Sequence, residues 1–151
     1  SRLVATPATS KSFATRLGRT VTLDNLRDAR VAAVDGSRQH AFITSDAGDR
    51  RLTAIATPAS ADAIGALRDD TADFALLPVI SAYALLNHDG AQKLEFVGPA
   101  VADRGLGGSV HLALSKQNDT LRHSVNRAIA AIRADGSFQR ITRRYFPHGL
   151  D

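Results

Sequence analysis

Short apolar runs alternate with segments of helical periodicity through the middle of the chain. Apolar runs flanked by turn residues predict four β-strands, at 29–34, 51–56, 72–77 and 93–97. Segments with apolar residues at helical spacing predict helices between them, at 37–44, 59–69 and 79–87. This alternating order is typical of an α/β fold with a mostly parallel sheet and flanking helices. The strand at 72–77 is apolar almost throughout, so we expect it to be buried on both faces.

The pattern is simpler in the rest of the chain. Residues 1–22 contain one short apolar run, Leu3-Val4-Ala5, which predicts a strand followed by a loop. Residues 45–50 are polar and predict a second loop, and residues 98–109 are rich in glycine and predict a linker or hinge. A further strand is expected at 111–115, and two final helices at 120–134 and 138–145, which end at Asp135-Gly136 and at Pro147.

The turn after the first of the four strands is the best candidate for a binding site. The strand ends at Asp35-Gly36, and Ser37 follows at a position that can cap the next helix. We expect the main-chain amides of Ser37, Arg38 and Gln39 to be free and to point beyond the carboxyl end of the strand, where a carboxylate or phosphate would bind. Many α/β proteins have a Gly-Ser turn with no ligand, so a purely structural role stays open on the local sequence.

Composition and charge narrow the possible functions. The 151 residues, 44% of them hydrophobic, suit one domain or two small lobes. There is no cysteine and the five histidines are scattered, so we expect no metal site. The net charge of +4 comes without a basic stripe interleaved with aromatic residues, which disfavours nucleic acid as a partner. No apolar run is long enough to span a membrane, and no cofactor is implied.

Three stretches of the sequence carry a family resemblance when they are taken in order. Gly107 to Pro147 contains an acidic turn, a helix with an asparagine, Asp-Gly-Ser and a closing Tyr-Phe-Pro. Thr22 to Ile43 reads TLDNLRDARVAAVDGSRQHAFI, and residues 64–78 read IGALRDDTADFALLP. Together they resemble the amino-acid-binding class of periplasmic solute-binding proteins, which are the two-lobed, type II proteins of family 3.

The resemblance implies a division of the chain into four parts. These are a hinge strand and linker at 1–21, an α/β lobe 2 at 22–98, a hinge at 99–109 and the C-terminal part of lobe 1 at 110–151. Members of the family begin with a further lobe-1 segment, which contributes an aromatic residue and an arginine to the ligand site, and this sequence starts after it. We therefore expect a longer form of the protein, a second chain or a swapped segment to complete lobe 1.

The resemblance also implies where a ligand binds. In the family, a Ser or Thr at the turn after the first lobe-2 strand binds the carboxylate of the ligand, and Ser37 matches that position. The ligand-binding residues implied in this way are Gly36, Ser37, Arg38, Gln39, Leu77 and Pro78. Pro78 stands where many members have an aspartate for the ligand's ammonium group, so an ordinary α-amino acid would lose a charged partner there. This leaves room for a small polar carboxylate, for another amino-acid-like ligand or for a role without a ligand.

The function implied is that of a solute receptor of an ABC-type uptake system in the periplasm. Its partners would be the small ligand and the membrane subunits of the transporter, and it would not be an enzyme. Two alternatives on the same fold stay open, a ligand-sensing domain of a receptor or regulator and a dehydratase-like enzyme. Such dehydratases use a carboxylate after the third lobe-2 strand, where this chain has Pro78-Val79-Ile80-Ser81.

Overall fold

The structure is a computed structural model that describes residues 1–88 and 93–146, apart from the side chains of residues 46–48, 87 and 88. The chain divides into two compact units, Ser1–Gly108 and Ser109–Asp151, which we call the first and second units. The four-part division into hinge segments and lobes stays a prediction. No helix in the described ranges is long and apolar enough to cross a membrane.

The first unit is an α/β layer built on one five-stranded sheet. Its elements in chain order are β1 Arg2–Ala5, α1 Pro7–Leu17, β2 Ala29–Val34, α2 Arg38–Arg50, β3 Leu52–Thr57, α3 Ser60–Arg68, β4 Phe74–Leu77, α4 Val79–His88 and β5 Glu95–Val97. The strand order is β3-β2-β4-β1-β5. Strand β2 is parallel to β3 and β4, whereas β1 is antiparallel to both of its neighbours. Four strands thus run one way, which confirms the predicted α/β fold with a mostly parallel sheet.

Alternation along the strands divides the core between the two faces of the sheet. Leu3, Val31 and Leu76 lie in one cluster, which also contains Phe13 of α1 and Ile43 of α2. The other cluster contains the intervening strand residues together with side chains of α3 and α4. All four residues of β4 are buried, so the expected burial of this strand on both faces is confirmed.

Two predicted loops of the first unit were wrong. The segment after β1 forms helix α1, which begins with Pro7 in its first turn and with Thr6 as its cap. The Thr6 side-chain oxygen accepts a hydrogen bond of 3.2 Å from the amide of Thr9. Residues 45–50 also do not form a loop, because α2 continues to Arg50. Both segments are rich in polar residues, and apolar periodicity alone is a weak signal for a helix that buries only a few side chains.

The second unit contains two helices, α5 Asp119–Ala134 and α6 Ser137–Tyr145, as predicted. Asn118 caps α5 by accepting a hydrogen bond of 3.1 Å from the amide of Leu121. The strand expected at 111–115 is not formed, and this prediction was wrong. A strand is stable only when a neighbouring strand pairs with its backbone, and the unit offers none among its described residues. Pro147, expected to end α6, lies outside the described residues.

The second unit has little core of its own. None of the residues of α5 or α6 is buried. Apolar side chains are exposed on the helices and on the segment before them, with exposed fractions of 87% for Val110, 68% for Leu112 and 53% for Ile141. Such a face is unusual for a unit that is stable alone.

Candidate functional site

The candidate site lies at the edge of the sheet where the parallel strands end. The chain turns after β2 at Asp35, after β3 at Pro58 and after β4 at Pro78. Strand β1 runs the opposite way, and Arg2 is therefore paired with Leu77 at this same edge. We call it the carboxyl edge. Ligands of open α/β sheets bind beyond this edge, so a ligand would contact the turns that lie there.

The turn between β2 and α2 is held by a set of short hydrogen bonds. Gly36 has a φ of +67°, a backbone conformation that favours glycine, and its amide donates to Asp35 Oδ1 at 2.9 Å. The amide of Ser37 donates to the carbonyl of Val34 at 3.1 Å. Ser37 Oγ accepts from the amide of His40, also at 3.1 Å. Ser37 therefore caps α2, as its position in the sequence predicts.

These bonds decide which amides remain for a ligand. The expectation that the Ser37 amide is free was wrong, because the tight turn uses it. The amides of Arg38 and Gln39 lie in the first turn of α2 and have no intrahelical acceptor. The helix dipole adds partial positive charge at this end, and the Arg38 side chain is exposed beside it. The arrangement offers two amide donors and one exposed cation to an anion.

The side chain of Gln39 is turned into the protein. Only 9% of the residue is exposed, and Nε2 donates to Ser1 Oγ at 2.8 Å. Its main-chain amide remains a candidate donor to a ligand, whereas its side-chain carboxamide stabilises the fold through the bond to Ser1. Sequence reasoning missed His40, whose Nδ1 lies 3.5 Å from Asp35 Oδ1 at the same turn. Its place three residues after the cap was the signal available, because the amide at this position commonly bonds the capping side chain, as the His40 amide does here.

The turn after β4 contributes apolar surface. Leu77 is fully buried in the core cluster that includes α3 and α4, so it can support the edge from below but cannot touch a ligand. Pro78 is exposed, and it has no amide hydrogen to donate. Ile80, one residue into the first turn of α4, is 43% exposed. In the turn after β3, Thr57 is buried like Leu77, and its hydroxyl is used within the protein, where it donates to the carbonyls of Ala33 and Ala59.

Asp73 lies at the other end of β4 and is paired with Arg30 of β2. The shortest side-chain contact, Nη2 to Oδ1, is 2.8 Å, and Asp73 Oδ2 also accepts from the amide of Arg30 at 2.7 Å. Burial alone would raise the pKa of the Asp73 carboxyl, but the hydrogen bonds and charge of Arg30 outweigh burial and hold the pKa below its ordinary value. This aspartate therefore has a structural role far from the carboxyl edge.

The second unit contains a groove of about 710 Å³ between α5 and the segment before it. Its apolar lining consists of Val110, Leu112, Leu114, Val125 and Ile129. Asp119 and Arg122, which also line it, form a salt bridge of 2.9 Å with each other. Among the described residues of the whole chain, no three His, Asp or Glu side chains are grouped so as to hold a metal ion.

Comparison of the sequence with known proteins identifies its relatives. The sequence profile of bacterial extracellular solute-binding proteins, family 3, matches residues 7–148. The histidine-binding periplasmic protein of Escherichia coli K12 is 25% identical over 127 residues, which are 83% of this chain and 49% of that protein. The lysine/arginine/ornithine-binding periplasmic protein of the same strain is 24% identical over the same shares. The chain thus spans about half the length of the curated relatives it matches.

Solved structures show the same fold. An ancestral arginine-binding protein bound to arginine has a TM-score of 0.69 and 18% identity, over 96% of this chain and 59% of its own. The probable amino-acid ABC transporter extracellular-binding protein of Bacillus subtilis has a TM-score of 0.73 and 16% identity, over 97% of this chain and 59% of its own. Because the family profile matches nearly the whole sequence, the chain belongs to family 3 of the bacterial extracellular solute-binding proteins.

Proposed function

We propose that this chain is part of a solute receptor of an ABC-type uptake system and that it binds a small polar carboxylate or an amino-acid-like ligand. The observation that carries the proposal is the start of α2 at the carboxyl edge, where the amides of Arg38 and Gln39 have no intrahelical acceptor. Relatives named as histidine-binding and as lysine/arginine/ornithine-binding proteins support a receptor role. The names of these relatives also favour binding over catalysis.

The six proposed site residues have different roles. Gly36 and Ser37 shape the turn and cap the helix, Arg38 and Gln39 donate their amides, and the Arg38 side chain adds charge. Pro78 would form an apolar wall, with Leu77 below it as support. A ligand carboxylate would therefore bind at the α2 turn, and the part of the ligand near Pro78 would contact an uncharged surface.

The proposal includes a partner for the second unit. Its groove and its exposed apolar side chains would be covered by the rest of lobe 1, supplied by a longer form of the chain, by a second chain or by a swapped segment. The unpaired segment at 111–115 would then gain a neighbouring strand. The ligand would be enclosed between two lobes, and the loaded receptor would dock on the membrane subunits of a transporter. We place this activity in the periplasm, where the relatives' names put them.

A ligand screen tests the binding role. Thermal shift would be measured with arginine, histidine and lysine, and with monocarboxylates of matched size that lack the amino group. Any stabilising compound would be titrated calorimetrically into the wild type and into the Ser37→Ala/Arg38→Ala double variant. We expect about tenfold weaker binding by the variant, since a charge-assisted contact and the fixed helix start are both lost.

Two controls make the screen specific. Ser37→Thr keeps a capping hydroxyl and should bind as the wild type does. Arg19→Ala removes an exposed arginine in the loop after α1 and should leave affinity unchanged. Equal affinity of the double variant and the wild type would exclude the α2 turn as the site. A screen in which no compound of either class binds this chain or a longer form that includes the rest of lobe 1 would refute the receptor proposal.

A further inference from the structure

The glycine-rich segment 98–107, which we call the crossover segment, is anchored to the core of the first unit. Val101 and Leu106 are only 8% and 3% exposed, and both lie in the cluster with α1 and α2. The amide of Val101 donates to the carbonyl of Ser1 at 2.7 Å, and that of Leu106 donates to the carbonyl of Asp103 at 2.9 Å. The sequence predicts a linker here, yet two of its apolar residues are buried in the core although most of the segment is exposed.

Arg104 connects the middle of the crossover segment to Phe42 of α2 and to Asp24, which lies between α1 and β2. Its guanidinium lies 5.3 Å from the centre of the Phe42 ring, and Nη1 donates to Asp24 Oδ1 at 2.7 Å. Arg104 also has a φ of +55°, which is uncommon for a residue with a side chain. Such a conformation persists only when surrounding contacts impose it. The ring and the carboxylate supply those contacts.

A second link joins the end of the crossover segment to the first turn of α2. Gln39 Nε2 donates to Ser1 Oγ at 2.8 Å, and Ser1 Oγ donates to the carbonyl of Leu106 at 2.5 Å. The main-chain amide of Gln39 is a proposed ligand donor at the carboxyl edge, whereas its side chain bonds to Ser1 within the fold. Helix α2 is thus tied to the crossover segment at two points about one turn apart.

The two glycines at the end of the first unit differ sharply. A side chain on Gly107 would lie 2.5 Å from Ala102 Cα and 2.7 Å from the Ala102 carbonyl, so this glycine closes the anchored loop by close contact. Gly108 has a φ of +154° and open space around it, and it is the last residue of the first unit. The packing that holds the crossover segment therefore ends between these two residues.

We propose that Arg104 and Gln39 are positioning residues that lock the crossover segment to α2, so that the first unit stays packed as far as Gly107 and free backbone rotation begins at the Gly107-Gly108 junction. Helix α2, which holds the candidate site, is then rigidly connected to the point where the second unit begins. The lock itself does not depend on the ligand that the site binds. Its use in closing two lobes on a ligand rests on the proposed function.

Residue-resolved amide hydrogen exchange on the ligand-free full chain tests the lock. We expect the amides of Val101 and Leu106 to exchange at least about 100-fold more slowly, after correction for intrinsic rates, than those of Val110 and Leu112. The first pair is hydrogen-bonded and buried, and the second pair lies in an exposed segment without regular secondary structure. Equal exchange rates for the two pairs would overturn the proposal, because the crossover segment would then be as free as the segment after Gly108.

Variants of Arg104 test the residue assigned to the lock. Arg104→Ala should speed exchange at Val101 and Leu106 about fivefold, because the ring contact and the charged hydrogen bond are lost together. Arg104→Lys retains a cation that reaches Asp24 and should recover part of the protection. Arg51→Ala is a matched control, since Arg51 makes an ion pair of 2.7 Å with Asp28 away from the crossover segment.

The outcomes separate the lock from general stability and from the receptor proposal. If Arg104→Ala and Arg51→Ala change exchange at 101–106 equally, or if neither changes it, Arg104 is not a positioning residue. A loss of protection that the lysine variant does not restore at all also counts against the assignment. The ligand screen uses a different readout, so failure to find a ligand leaves the exchange result intact, and failure of the lock leaves the binding site to be judged separately.

Discussion

Replacing Asp73 should expose how strongly the sheet depends on one side chain that joins two of its strands. Asp73 precedes β4 and Arg30 belongs to β2, and 43 residues separate them in the chain. The carboxylate accepts from the Arg30 amide at 2.7 Å and from Nε and Nη2 at 3.2 and 2.8 Å. The amide of Asp73 in turn donates to the Arg30 carbonyl at 2.9 Å. The pair therefore fixes where β4 enters the sheet beside β2.

The burial of the contacts between Asp73 and Arg30 determines how much stability the replacement of Asp73 should remove. The Asp73 side chain is 17% exposed, so its hydrogen bond to the Arg30 amide is largely shielded, whereas the Arg30 side chain is 40% exposed. A shielded hydrogen bond to a charged group contributes about 1.5–3 kcal/mol, and an exposed ion pair adds less than about 1 kcal/mol. We expect Asp73→Ala to lower the free energy of unfolding by about 2–3 kcal/mol. Asp73→Asn keeps an acceptor for the amide and should cost about 1 kcal/mol.

Urea unfolding followed by circular dichroism measures these differences. Asp70→Asn is the matched control, because Asp70 contacts the same arginine at 3.3 Å but its side chain is 90% exposed, and asparagine tolerates its φ of +55°. It should cost less than about 0.5 kcal/mol. If Asp73→Ala destabilises no more than Asp70→Asn, the reasoning from burial and hydrogen bonding is wrong.

The pH dependence gives a second test of the same pair. The pKa of Asp73 is lower in the folded chain than its ordinary value of 3.8, because the contacts with Arg30 outweigh the effect of burial. A depressed pKa means that the carboxylate contributes stability above the unfolded pKa and loses it as the pH falls through the folded value. The stability gap between wild type and Asp73→Asn should thus be constant near neutral pH and shrink below about pH 4. A gap that widens on acidification would contradict this sign.

Two further predictions concern the core and a helix cap, both measured by urea unfolding. Phe74 is fully buried and meets the Phe13 ring edge-on at 4.9 Å, so Phe74→Ala should cost about 3–5 kcal/mol, against less than about 1 kcal/mol for Ile80→Ala on the surface. Equal losses would mean that this core is not packed as described. Thr6→Ala should cost about 1 kcal/mol by removing the cap of α1, and Thr6→Ser should retain stability. A serine variant as unstable as the alanine variant would argue against the cap.

Elements with strong local signals were predictable. Strand β2 was expected at its observed bounds, and β4 was recognised as doubly buried because its residues are apolar almost without interruption. Helix α1 was missed because Phe13 is its only buried residue, so it lacks an apolar stripe. Its cap and its first-turn proline were the signals present. The predicted strand at 111–115 failed for the opposite reason, since its pattern is strand-like but the described chain supplies no neighbour.

The candidate site shows the same limit at the level of single side chains. Ser37 was predictable as a cap because capping involves residues only three positions apart. The direction of the Gln39 side chain was not predictable, because its hydrogen-bond partner Ser1 lies 38 residues earlier in the chain. Leu77 was expected to line a pocket, but its full burial depends on how α3 and α4 cover the sheet. The anchoring of the crossover segment likewise depends on Phe42 and Asp24, which are far away in sequence.

The sequence by itself determined the alternation of strands and helices, the burial of the central strand, the capped turn at Ser37 and membership of a family of solute-binding proteins. These follow from periodicity, turn chemistry and motif order, which act over a few residues at a time. Only the tertiary structure decided which amides of that turn remain available, which way Gln39 faces and that Arg104 contacts both Phe42 and Asp24 from a glycine-rich segment. Each of these depends on contacts between distant parts of the chain, and a local sequence pattern does not specify which distant residues come into contact.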